Sequence, residues 1–244
     1  MAEQLNQSLE DIEFTHRWYR RFLRELLAEG YDFRTFTEPL RDGDIALRHD
    51  VDLSVAAALT MAELEAELGV QSTYCVLLTS SLYNPLQSTN REAIGQIDAL
   101  GHDIALHFST HEYWPEDDPP SQEAIETRVR DERDVLETIV STAETVSFHR
   151  PPQWVLDREF EGFESTYAPR FFSDIGYVAD SNQRWRDEPP RIDELPETVQ
   201  LLTHPGLWGD EDGGFETQIE AAITDASDRT GRNARREFIS GESD

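Results

Sequence analysis

Residues 45 to 54 read Ile45-Ala46-Leu47-Arg48-His49-Asp50-Val51-Asp52-Leu53-Ser54. An apolar run, Ile45 to Leu47, leads into two carboxylates one residue apart, and Ser54 is placed to cap a following helix. In a strand, residues i and i+2 project to the same side. Asp50 and Asp52 would therefore leave the strand's carboxyl end together, and they repel each other unless a cation or a shared proton compensates. The plain alternative is a solvated turn of two aspartates, and the rest of the chain decides between the two.

Outward from this stretch the hydrophobic pattern alternates between strand and helix. A helix from Ser54 to about Leu68 ends at Gly69. Gln71 to Leu78 is β-rich and nearly continuously apolar, as in a strand covered on both faces. A helix from Asn90 to Leu100 stops at Gly101, and His102 to Phe108 forms the next strand. Strand, helix, strand, helix, strand is the signature of parallel βαβ units. Upstream, residues 8 to 29 have amphipathic helical spacing, and residues 31 to 43 read as a loop. Downstream, a helix begins at Ser121 and runs to about Val140. Short strands follow at Thr145 to His149, Gly176 to Asp180 and Val199 to Thr203. Residues 157 to 174 are expected to include a short helix. A surface helix spans Phe215 to about Phe238, with fraying expected after Ser240. No linker or repeat interrupts the pattern, so residues 1–244 are expected to form one domain. Residues 1–43 would supply a helix and loop, 44–208 the core, and 209–244 the terminal helix.

Composition narrows the function. Fifty acidic residues against 21 basic ones give a formal net charge of −29, and every basic residue is arginine. That balance argues against nucleic-acid binding through a basic face. An acidic, lysine-free chain resembles proteins of organisms that keep molar salt in the cytoplasm, where screening relieves self-repulsion. A halophilic, haloarchaeal source is expected. The N-terminus lacks a signal peptide's basic and apolar regions, and no run is apolar enough to span a membrane. A soluble, cytoplasmic protein without membrane insertion is expected. The single cysteine, Cys75, excludes an internal disulfide or a cysteine metal cluster.

Polar residues recur at successive strand carboxyl ends: Asp50 and Asp52, then His107 and His111, Arg150, Asp180 and His204. In parallel barrels and open parallel sheets, ligands and catalytic groups collect at that edge. His107 and His111 are four apart, so on a helical turn both imidazoles face one way. With one aspartate they make a set of three ligands that leaves a position open for water.

The ordered set Arg48-His49-Asp50-Val51-Asp52, His107-Phe108-Ser109-Thr110-His111, His149-Arg150-Pro151-Pro152, Asp180-Ser181-Asn182-Gln183-Arg184-Trp185 and Leu201-Leu202-Thr203-His204-Pro205 resembles the motifs of the polysaccharide deacetylase superfamily. That superfamily includes chitin and peptidoglycan N-deacetylases. The resemblance runs from about residue 44 to 208, in a divergent His-Asp-Val-Asp form. It implies an α/β fold, a deformed (β/α) barrel with about seven parallel strands, and one divalent metal, commonly Zn2+. By position, Asp50 resembles the general base and Asp52, His107 and His111 resemble the metal ligands. Arg150 resembles the arginine that tunes the base, and Asp180 the aspartate that positions that arginine. His204 resembles the general acid, while Leu202 and Trp185 resemble walls around the acetyl methyl. The usual Asp-Asp-Gly is here Asp-Val-Asp, and Gln153 stands where an aromatic residue or glycine is common.

These roles suit the chemistry. An amide resists neutral water, so a metal that acidifies water, a carboxylate base and an oxyanion donor such as the Gln153 N–H would each lower the barrier. The leaving amine needs a proton, a task for His204. His49, His102 and His149 read as packing or supporting groups, and His16 as a surface residue. Tyr113, Trp114, Trp154 and Trp208 suit either sugar stacking or loop packing. The leading reading is a metal-dependent deacetylase acting on a small N-acetylated sugar or oligosaccharide. Alternatives are hydrolysis of another C–N bond and a catalytically silent glycan-binding domain. A phosphotransferase centred on Asp50 is disfavoured by the absence of lysine.

Overall fold

The computed structural model describes residues 11–239. Eight strands form one all-parallel sheet: β1 (Asp32–Arg34), β2 (Asp44–Val51), β3 (Thr73–Leu77), β4 (Asp103–Phe108), β5 (Thr145–Phe148), β6 (Glu164–Ser165), β7 (Gly176–Ala179) and β8 (Val199–Thr203). The order is β6-β5-β4-β3-β2-β8-β7, with β1 on β2. Five helices accompany it: α1 (His16–Glu29), α2 (Val55–Glu67), α3 (Ser88–Ala99), α4 (Gln122–Leu136) and α5 (Phe215–Phe238). The expected deformed barrel of about seven parallel strands is what forms, with two short strands that hydrophobic pattern did not reveal.

The first of these, β1, pairs with Asp44 to Ala46 of β2, just below the point where β3 pairs with Arg48 to Val51. The segment 31–43 is therefore partly sheet, and three residues are too few to show a period. The second, β6, pairs with Thr145 and Val146. It lies in the span 157–174, which also holds the short helix expected there, a 3-10 helix at Pro169–Phe171. Backbone hydrogen bonds do not link β6 to β7 among the described residues. Aromatic rings close that side, with Tyr167 and Phe172 lying 6.4 and 5.0 Å from Tyr177.

Helix α1 starts later than its periodicity suggests. Thr15 caps it by accepting from the Trp18 N–H at 3.1 Å, and Gly30 ends it at φ 96°, a conformation open to glycine without a Cβ clash. Residues 8–10 of the expected helix, and the tail after Ser240, lie outside the described residues. Ser54 caps α2 as expected, accepting from Ala57 N–H at 3.2 Å.

Strand parity divides β2 into two faces. Leu47, His49 and Val51 point to the helix layer, while Arg48 and Asp50 point into the barrel. On the outer face, Ile45, Leu47, Val199 and Leu201 pack with Trp18, Phe22 and Leu26 of α1, and Val51, Tyr74 and Leu106 pack with Ala58 of α2 and Ile94 of α3. A polar knot sits within this apolar layer. The fully buried carboxylate of Glu65 accepts from Tyr19 at 2.6 Å, Ser72 at 2.7 Å and Tyr74 at 3.0 Å, and lies 2.8 Å from His49 Nε2. His49 Nδ1 is 2.7 Å from Thr203 Oγ1, which pins β2 to β8 where both strands end. A buried charge with this many donors is compensated rather than stranded.

Candidate metal centre and catalytic pocket

The carboxyl ends of β2, β4, β5, β7 and β8 surround a cavity of about 510 Å³. Asp50, Asp52, His107, His149, Arg150, Leu202 and His204 line it, with Tyr167, Phe172 and Tyr177 as an aromatic wall.

Three donor atoms converge at its floor. Asp52 Oδ1 is 3.1 Å from His107 Nε2 and 3.3 Å from His149 Nδ1, and the two nitrogens are 3.2 Å apart. His107 Nδ1 lies 3.2 Å from the Ser147 carbonyl, which can only accept. Nδ1 therefore carries the proton, and the Nε2 lone pair faces the cluster. Asp52 Oδ1 is buried and has no hydrogen-bond partner among the described residues. Metal–nitrogen and metal–oxygen bonds of about 2.0–2.1 Å at tetrahedral angles set ligand atoms about 3.3 Å apart. The observed triangle and its unsatisfied oxygen fit a divalent ion held by two imidazoles and a carboxylate.

His111 is not part of that triangle. It is exposed, in a 3-10 turn (Thr110–Glu112), and its Nε2–H donates to the Arg150 carbonyl at 2.9 Å. The four-residue spacing from His107 misleads because His107 and Phe108 lie on β4 and Ser109 is extended, so the pair does not sit on one helical turn. His149 takes the third position. Its inward direction was legible in one respect: Ser147, two residues earlier on β5, also points inward and donates to Asp50 Oδ1 at 3.0 Å.

Asp50 sits beside this cluster, its Oδ2 3.6 Å from His107 Nε2. Its partner is Arg48 rather than Arg150. Arg48 is 0% exposed and grips both carboxylate oxygens, with Nε and Nη2 each at 3.0 Å. The same guanidinium reaches Thr166 and Gln200 at 2.7 Å and the Tyr167 hydroxyl at 2.8 Å. Burial raises the Asp50 pKa, but Arg48, His107 and His204 together outweigh it and hold the carboxyl below its ordinary value. Arg48 was within the opening motif, and its i, i+2 relation to Asp50 was the available signal.

Asp180 serves His204. The His204 Nδ1–H donates to Asp180 Oδ1 at 2.5 Å, while the His204 backbone N–H and Trp208 Nε1–H donate to Oδ2 at 3.0 and 2.8 Å. His204 Nε2 is left facing Asp52, 4.0 Å from Oδ2. Burial pushes the His204 pKa down, but Asp180, together with Asp52 and Asp50, more than reverses this and brings it up to about 9. The charged form of the imidazole is favoured, and a carboxylate aims the ring.

Leu202 lines the cavity. Trp185 does not: it is 1% exposed in the outer layer, packed against Trp18, Phe22 and Trp208. Gln153 is exposed in its own 3-10 turn (Gln153–Val155) and is not a lining residue.

No family model matches this sequence, and no curated protein matches it. Among solved structures, the peptidoglycan deacetylase PdaC of Bacillus subtilis superposes with a TM-score of 0.45 at 15% identity, covering 80% of this chain and 96% of that one. A family 4 carbohydrate esterase from Bacillus anthracis gives 0.43 at 14% identity, covering 86% of each chain. A mutant of a family 4 pseudoenzyme with restored enzymatic activity gives 0.42 at 13% identity, and this chain spans only 63% of its length. At these identities and TM-scores nothing about the chemistry of this chain follows from them, and the site is read from its own residues.

Proposed function

We propose that this protein is a divalent-metal-dependent hydrolase, a carbohydrate N-deacetylase of the polysaccharide deacetylase type that removes an acyl group from an N-acylated amino sugar. The observation that carries this reading is the convergence of Asp52, His107 and His149 beside a buried aspartate and a carboxylate-oriented histidine in one cavity. A purely binding cleft needs neither of the last two groups.

Asp52, His107 and His149 would hold the ion, and the borderline nitrogen and oxygen donor set suits Zn2+. Bound there, such an ion supplies Lewis acidity toward the acyl oxygen and lowers the pKa of a water. Asp50 would accept the proton of the attacking water as its oxygen bonds to the acyl carbon. Arg48 keeps Asp50 ionised and fixed, at the expense of some basicity, and Ser147 holds its other edge. His204 enters the reaction protonated and delivers its Nε2 proton to the departing nitrogen, while Asp180 holds the ring and the tautomer. Leu202 and the rings of Tyr167, Phe172 and Tyr177 exclude bulk water around the acyl group. A working environment of molar salt inside the cell is part of this reading, and it favours soluble or lipid-linked sugar precursors over a finished wall polymer.

Acetate release from a panel of N-acetylhexosamines, their oligomers and nucleotide sugars, in molar KCl with added Zn2+, tests it. Turnover should need the metal, and His204→Ala should lower kcat by about 10²–10⁴-fold, the usual contribution of general acid catalysis. Full activity in His204→Ala, or no acetate from any member of a metal-loaded panel, would overturn the reading.

A further inference from the structure

Several arginines of this molecule meet a carboxylate: Arg34 pairs with Asp44, Arg170 with Glu164, Arg186 with Asp212 and Arg229 with Asp225. With 50 acidic residues to 21 arginines, such partners are plentiful. The two arginines that line the catalytic cavity beyond the Asp50 pair, Arg150 and Arg184, behave differently. Both are exposed, and neither side chain makes a hydrogen bond or ion pair among the described residues. The cavity offers them no free carboxylate either. Asp50 is gripped by Arg48, and Asp52 is turned toward His107 and His149.

Their placement is built into the backbone. Arg150 follows β5 at φ 45°, with its carbonyl held by His111 and Pro151 next in the chain. Arg184 follows β7 after Asn182 and Gln183, both at φ 56°, and the Gln183 side chain anchors that turn to the Gly213 carbonyl at 2.9 Å. Left-handed backbone in non-glycine residues costs energy and persists where surrounding contacts impose it. Both arginines line the cavity together with the aromatic wall of Tyr167, Phe172 and Tyr177.

We infer that Arg150 and Arg184 form an anion subsite, and that the N-acyl sugar taken by this pocket carries a phosphate or carboxylate group. This rests on the N-deacylase reading of the same cavity and adds the substrate's charge to it. On a chain of net charge −29 the long-range field repels an anion, so a charged substrate needs local cations at its docking point. Guanidinium groups serve here because their planar donors match the oxygens of phosphate and carboxylate, and contact pairing survives salt better than long-range attraction.

The test uses kcat/KM for acetate release from matched substrates at one fixed salt concentration: N-acetylglucosamine, its 1-phosphate, its 6-phosphate, its uridine diphosphate conjugate and the corresponding N-acetyl uronic acid. Wild type is compared with Arg150→Gln, Arg184→Gln and the double variant, and circular dichroism verifies folding. In parallel, calorimetry measures binding of glucose 1-phosphate and glucose 6-phosphate to the metal-free proteins. At least one anionic substrate should exceed N-acetylglucosamine by about tenfold or more, equivalent to about 1.4 kcal/mol. That preference should collapse toward unity in the double variant through KM, and sugar phosphate binding should weaken by a similar factor. The member preferred separates a phosphate source from a carboxylate source. Equal turnover of neutral and anionic substrates by wild type overturns the anion subsite and leaves the deacylase reading standing. Binding of sugar phosphate that depends on both arginines, with no acetate from any member, supports the subsite and overturns the deacylase. Neither binding nor turnover overturns both.

Discussion

Replacing Arg48 by methionine is the sharpest probe of how the barrel interior supports the site. Arg48 is fully buried and donates two hydrogen bonds to Asp50 and one each to Thr166, Gln200 and Tyr167. Methionine fills part of the volume but leaves the Asp50 charge with Ser147 as its remaining close donor. Removing one partner of a buried ion pair costs about 3–5 kcal/mol, because the other charge stays desolvated. For a chain of this size each kcal/mol shifts Tm by about 2–4 °C, so the midpoint should fall by about 6–20 °C. The measurement is thermal and urea unfolding at fixed salt, followed by circular dichroism. A second substitution separates charge from packing: Arg48→Met with Asp50→Asn removes the stranded charge and should recover about half of the loss, a coupling of about 1–3 kcal/mol. If Arg48→Met lies within about 1 kcal/mol of wild type, or Asp50→Asn adds to the loss, the pair does not carry the interior.

Three further outcomes are expected. His149→Ala should abolish stoichiometric Zn2+ retention measured by plasma emission, whereas His111→Ala should keep the ion; the reverse result would restore His111 as the ligand. Stability should fall as the solution is acidified. Burial holds His102 below its usual pKa, and for Glu65 the opposing effect of burial is outweighed by His49, His102 and Tyr19 together, which hold it low as well. Both groups bind protons more readily unfolded than folded, so their contribution is complete above about pH 6.5 and is lost on descent, first for His102 and then for Glu65 below about pH 4.3. A Tm that stays level from pH 7 to pH 4 would contradict this. Finally, raising KCl from about 0.1 to about 1 M shortens the screening length from about 10 to about 3 Å and should raise Tm, as expected for a −29 chain. A flat salt profile would remove the basis for a halophilic origin.

The sequence by itself determined the alternation of strands and helices and the collection of polar residues at the strands' carboxyl ends. Both follow from short-range rules. Apolar period identifies an element, and parity within β2 places Arg48 and Asp50 on one face whatever the rest of the chain does. The helix caps at Ser54 and Ser121 and the stop at Gly30 were legible for the same reason. Tertiary structure decided the partners. Whether His111 or His149 joins Asp52 depends on where the chain turns after β4 and β5, and that turn is set by packing and by the hydrogen bond from His111 to Arg150. Arg48 takes the place beside Asp50, and Arg150 is left exposed on the cavity lining, because an inward strand position is buried and a post-strand turn is not. Trp185 lies three-dimensionally behind the sheet, against Trp18 and Trp208, although it is five residues from Asp180. Proximity along the chain says which strand end a residue follows, and only the packed loops say which way its side chain goes.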